Sequence, residues 1–161
     1  MPMKKTDKAH TCCFTGHRPQ KLAQNENQMR PLLEKAILQA IDNGFTSFIS
    51  GMAPGVDIWA GEAVCRLRDE YGLRLICAVP CPGFADGWPE EQRLRYGALL
   101  AKADESFYVC DKPDPKCCSL RNRRMVADSG LVIAAYNGTQ GGTAETVAYA
   151  KAAGIEIINI I

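Results

Sequence analysis

The sequence predicts an α/β protein built on a doubly wound, mainly parallel sheet of about six strands with helices on both faces. Two observations predict it. Six short apolar runs alternate with amphipathic stretches along the chain, and strands this apolar must be covered on both sides, as parallel strands are. Four of the runs are followed by glycine-bearing segments, longer than a simple turn requires.

The elements follow in order. "HTCCFTG", residues 10–16, is a short strand, and "QMRPLLEKAILQAIDNG" spaces Leu33, Ile37, Ala40 and Ile41 as one helical face before an Asn-Gly stop. "FTSFISG" is the second strand. Residues 54–71 place Ala60, Ala63, Val64 and Leu67 on one face of a helix, and "LRLICAVP" is a strand ended by proline. A helix over 90–102 leads to the strand "ESFYVC"; a helix over 119–129 leads to "LVIAAY"; a helix over 143–153 leads to a last strand, "IEIINII". The alternation is Rossmann-like, and such sheets bind ligands beyond the carboxyl ends of their strands, where the strand order reverses.

The 161 residues suit one domain, spanning 11–161 after a flexible segment, 1–10. With 19 basic and 18 acidic residues there is no global pull towards nucleic acid or an anionic membrane. No apolar stretch approaches the roughly 20 residues of a membrane span, and the opening "MPMKKTDKAHTCC" has no apolar signal region. A cytoplasmic protein is expected. Eight cysteines without a paired C-x-x-C, beside only two histidines, read as free or buried thiols rather than metal ligands or a disulfide framework. Cys117 and Cys118 stand side by side, near Cys110.

Candidate ligand groups lie after the strands. "TGHRP" supplies Gly16, His17 and Arg18; the arginine fork suits phosphate oxygens, and His17 can donate a hydrogen bond or move a proton. "SGMAPGVD" supplies Gly51, Gly55 and Asp57. A helix opening near Pro54 presents free amides to an anion, while Asp57 either caps it or accepts from a sugar hydroxyl or a neighbouring loop. "YNGTQGGTAE" brings Gly138, Thr139, Gly141, Gly142 and Thr143 ahead of Glu145, either to turn the chain or to cradle a phosphate. "SLRNRRMVADSG" carries Arg121, Asn122, Arg123 and Arg124, whose arginines cannot all face one site at helical angles. Trp88, in "CPGFADGWPEEQRLRY", either stacks on a base or packs its loop against the sheet.

Together "TGHRP", "SGMAPGVDIWAGEAV", "RNRRMVADSGLVIAAYNG" and "GGTAETVAYAKAAGI" resemble the successive signatures of the SLOG superfamily, from about Thr11 to the C-terminus. That group includes the DNA-processing protein DprA and the LOG phosphoribohydrolases, and the chain is most similar to its small YpsA-like branch. The resemblance implies a Rossmann-like fold that binds nucleotides or nucleotide-derived ligands. The LOG hydrolases pair an arginine ahead of the fifth strand with the glutamate of a PGGxGTxxE loop. Arg121 matches the arginine and Glu145 the glutamate, which makes these two the implied catalytic pair. The loop here lacks the proline and carries one extra residue, a departure that bears on catalysis more than on binding.

Three functions therefore stand as expectations: a sensor or binding protein for a nucleotide-derived small molecule, a phosphoribohydrolase-like enzyme, and, ranked last, a DprA-like binder of single-stranded DNA. No cofactor or metal is called for by this chemistry. A homodimer paired through helices is expected.

Overall fold

Six parallel strands form one sheet in the order β4-β3-β2-β1-β5-β6 in the computed structural model, which describes residues 7–161. The strands are β1 (Thr11–Gly16), β2 (Ser47–Ser50), β3 (Arg74–Val79), β4 (Glu105–Tyr108), β5 (Leu131–Ala135) and β6 (Glu156–Asn159). Between them run α1 (Glu26–Asp42), α2 (Val56–Tyr71), α3 (Glu90–Lys102), α4 (Cys117–Ala127) and α5 (Gly142–Ala152). Of the expected flexible segment, residues 1–6 lie outside the described residues, and Lys8–His10 form a 3₁₀ turn.

Side chains alternate across a strand, and here the alternation sorts the core into two layers. Cys12, Phe14, Phe48, Leu75, Cys77, Leu131 and Ile133 face the layer that includes Leu33 and Ile37 of α1, Ala60 and Val64 of α2, and Leu99 of α3. Cys13, Ile49, Ile76, Ala78, Val132 and Ala134 face Met125 and Val126 of α4 and Val147 and Ala150 of α5. The sheet is thus doubly wound, with three helices on one face and two on the other. Gly61 permits the contact between α2 and α3, since a Cβ there would stand 2.7 Å from Leu99 Cδ2.

The strand order reverses between β1 and β5, which pair from Cys12↔Leu131 to Gly16↔Ala135. Their carboxyl ends diverge into loops heading for opposite faces, leaving a crevice at the point where the fold expects a ligand. Gly16 closes its floor: a Cβ there would lie 2.6 Å from Val56 Cβ, so only glycine lets β1 meet the start of α2 at this distance.

Candidate anion site at the β1–β5 crevice

A cavity of about 250 Å³ opens at this crevice. The β1 loop gives it Thr15, His17, Arg18 and Lys21; the other side is formed by Arg121 and Asn122 of α4 with Gly142 and Thr143 of α5. Arg18, Lys21 and Arg121 set three cations against a single lining carboxylate, Asp57. This balance suits an anion.

Each wall is held by a traceable interaction. His17 donates its backbone N–H to Ala135 O at 3.3 Å, and its ring tilts against Tyr136 with centroids 5.6 Å apart. The ring is only 3% exposed, and Nε2 has no hydrogen-bond partner among the described residues. Burial lowers the His17 pKa below 6.5, and the Lys21 charge adds to the effect. The ring is therefore neutral at pH 7.

The β2–α2 loop is locked from within. Ser50 Oγ donates to Asp57 O at 2.8 Å and accepts from Met52 N–H at 3.2 Å. Asp57 does not cap α2: Gly55 is the N-cap residue, and the carboxylate accepts from Ala53 N–H at 3.2 Å, tying the loop to the helix's first turn. Burial pushes the Asp57 carboxyl up, opposed by the Arg121 charge, the Ala53 amide and the Arg18 charge. Met52, fully buried, sits at φ 64°, a conformation rare for a large side chain and common where a site imposes its geometry.

Arg121 belongs to the same frame. It is 5% exposed, donates from Nη1 to Gly51 O and from Nε to Asn122 Oδ1 at 2.8 Å, and lies in the field of Asp57. A Cβ at Gly51 would come within 3.0 Å of three Arg121 atoms. These contacts make Arg121 a strut that fixes the β2–α2 loop to α4.

The β5–α5 loop holds Gly138, Thr139 and Gly141, all exposed and outside the cavity lining. Asn137 Oδ1 accepts from Thr139 N–H and Oγ1, a local turn, and Asn137 Nδ2 donates to Lys21 O at 2.9 Å. Lys21 Nζ in turn donates to Gln140 O at 3.2 Å, clasping the β1 and β5 loops together. Both α2 and α5 begin after a glycine without any side-chain cap, so their first amides are left free, with the positive ends of the helix dipoles. Gly55, at φ 93°, packs against Pro19 and lines a second cavity rather than this one.

Glu145 is exposed and absent from the cavity lining. Its charge acts on Arg123, whose pKa is raised first by the Tyr149 hydroxyl, and on Tyr149, over whose ring Arg123 lies at 4.8 Å. The three neighbouring arginines diverge as helical angles require: Arg121 inward, Arg123 onto Tyr149, and Arg124 onto Phe107 with an ion pair to Asp128. Thr15, Lys21, Ala53, Cys118 and Met125 also line the site but were not among the ligand groups expected from sequence.

The cysteines are all free thiols. Cys110 accompanies the end of β3, donating its N–H to Pro80 O at 2.9 Å, and Cys117 Sγ donates to Lys112 O at 3.5 Å. The Cys110 thiol is pushed up to about 11, chiefly by its hydrogen bond with Cys117, and so is protonated and weakly nucleophilic at neutral pH. Among the described residues no group of three His, Cys, Asp or Glu side chains is arranged to hold a metal ion. None of the described helices is long and apolar enough to cross a membrane. A larger cavity, about 440 Å³, lies among α1, α2 and α3, where Glu62, Arg68 and Arg95 are already engaged in ion pairs.

A doubly wound parallel sheet with a crevice between its central strands defines a Rossmann-like α/β protein. The chain belongs to the YspA SLOG family, whose model matches residues 12–156. It is 25% identical over 154 residues to a UPF0398 protein of Bacillus thuringiensis (strain Al Hakam), covering 90% of this chain and 84% of that one. A UPF0398 protein of Bacillus cereus (strain B4264) is 25% identical over 138 residues, covering 80% and 75%. The fold is similar to the X-ray structure of DNA processing protein A (DprA) from Streptococcus pneumoniae, with TM-score 0.61 and 18% identity over 91% of this chain and 49% of that one. It is also similar to DNA processing protein A from Helicobacter pylori, which binds single-stranded DNA, with TM-score 0.65 and 20% identity over 94% and 65%. The chain thus spans about half to two thirds of these DprA chains.

Proposed function

We propose that this protein binds the phosphate end of a nucleotide or nucleotide-derived small molecule in the β1–β5 crevice, as a sensor or binding protein. The carrying observation is the charge of the cavity wall, where Arg18, Lys21 and Arg121 stand against one carboxylate, Asp57. Arg18 and Lys21 supply charge, and Gly142 and Thr143 at the uncapped start of α5 supply amides for the phosphate oxygens.

Binding is preferred to hydrolysis because the implied catalytic pair is divided: Arg121 is engaged as a strut, and Glu145 is exposed outside the cavity. Calorimetric titration with AMP tests the reading. Arg18→Ala is expected to weaken AMP about tenfold, the scale of one charge-assisted hydrogen bond, while Glu145→Gln leaves affinity unchanged and no adenine is released. Unchanged affinity in Arg18→Ala contradicts the reading; adenine release that stops in Glu145→Gln replaces it with the hydrolase.

Single-stranded DNA binding is the second reading, favoured by the fold shared with the Helicobacter pylori protein. A salt-dependent gel shift with an oligonucleotide, competed away by neither AMP nor ribose 5-phosphate, would establish it.

A further inference from the structure

The second cavity, about 230 Å³, lies directly beside the first, and consecutive residues divide them. Arg18 lines the first and Pro19 the second; Ala53 lines the first, Pro54 and Gly55 the second. The two linings abut where the Pro19 ring approaches Gly55, at which a Cβ would lie 2.8 Å from Pro19 Cδ. Each cavity alone falls below the roughly 300–1,000 Å³ of typical ligand pockets, and the pair together reaches that range.

Their chemistry is complementary. The first is basic and polar. The second is walled by Trp59 and Trp88, the chain's only two tryptophans, with Ile58 and Pro54. Trp88 is not loose: Phe84 and Tyr96 hold it edge-on, each with ring centroids 5.3 Å away, at interplanar angles of 72° and 78°. The polar groups at this cavity are Glu26, Glu91, Gln92 and Arg95. Glu26 and Arg95 already bond each other at 2.8 and 2.9 Å. That leaves Glu91 and Gln92, exposed in the first turn of α3, as a carboxylate acceptor and an amide that can both donate and accept.

We infer that this second cavity is a base subsite, taking the heterocycle of a nucleotide whose phosphate occupies the first cavity; the assignment rests on the phosphate reading above. Flat apolar walls with one or two edge-directed polar groups are what a nucleobase requires, and indole faces stack on any base. The Glu91 carboxylate suits an exocyclic amino group, so an amino-bearing base such as adenine fits best.

Because both tryptophans line this cavity, intrinsic fluorescence reads its occupancy. AMP, ribose 5-phosphate and inorganic phosphate are titrated in parallel by fluorescence and calorimetry. The expected result is that AMP changes the tryptophan emission while ribose 5-phosphate binds without changing it. Trp88→Leu should weaken AMP at least about tenfold, the scale of one base–aromatic stack, and leave ribose 5-phosphate within about twofold. A second variant, Glu91→Gln with Gln92→Ala, lies on the exposed face of α3 and should weaken AMP selectively without touching the aromatic cluster. Equal binding of AMP and ribose 5-phosphate with unchanged emission overturns the base subsite and leaves the phosphate reading standing. Failure of all three probes to bind overturns both.

Discussion

His17 shows how the burial of one side chain acts on stability. Its ring is buried against Tyr136, with no partner for Nε2 among the described residues, and its pKa is lowered by that burial and by Lys21. Below pH 6.5 the unfolded chain takes up a proton that the folded ring resists, so stability falls as pH drops from 6.5 towards the folded value. His17→Gln should flatten that limb of the pH–stability profile in urea denaturation, whereas an unchanged profile would contradict the burial argument. Other residues resisted sequence reasoning for physical reasons. The role of Lys21 depends on a hydrogen bond to Gln140, 119 residues away. The φ of Met52 is set by tertiary packing, where a sequence pattern suggests glycine or asparagine instead. Arg121 and Glu145 were matched by motif, yet one residue is turned inward as a strut and the other outward, a difference only the helix phase reveals.

Helices and strands were legible because their periodicities are strong. The helix expected over 90–102 forms there, and the others begin within two residues of expectation. The misses sit at ends, where caps decide. The helix α1 starts at Glu26 because Asn25 Oδ1 accepts from Gln28 N–H at 2.9 Å and Gln28 Oε1 accepts from Asn25 N–H at 2.9 Å, a capping box. Asn25→Ala should cost about 1 kcal/mol in chemical denaturation, with Asn25→Ser recovering most of it; a neutral Asn25→Ala would mean that tertiary contacts alone fix the start. The three helices on this face are also joined by Arg95, which bonds Glu26 of α1 at 2.8 Å and Glu62 of α2 at 2.5 Å. That clamp fixes the wall of the tryptophan-lined cavity. Trp88 packs its loop, as one of its two expected roles, and the same packing orients it at that cavity.

For the molecule as a whole, the order β4-β3-β2-β1-β5-β6 gathers distant segments at one edge, and this was the part most legible in advance. Alternation of apolar strands and amphipathic helices implied the parallel sheet, and the sheet implied a crevice beside β1. What sequence left open was which of the converging residues meet. His17, Arg18, Asp57, Asn122 and Thr143 line one cavity, while Gly55 lines its neighbour and Gly138, Thr139 and Glu145 line neither. On the proposed function, an anionic ligand enters at this β1–β5 crevice. An amide chemical-shift map of the ¹⁵N-labelled protein titrated with AMP locates the entry point. The amides of Gly16, His17, Arg18, Gly142 and Thr143 are expected to move together and saturate. Shifts confined to the larger cavity among α1, α2 and α3, around Arg30, Arg66 and Lys102, or no shifts at all, would contradict it.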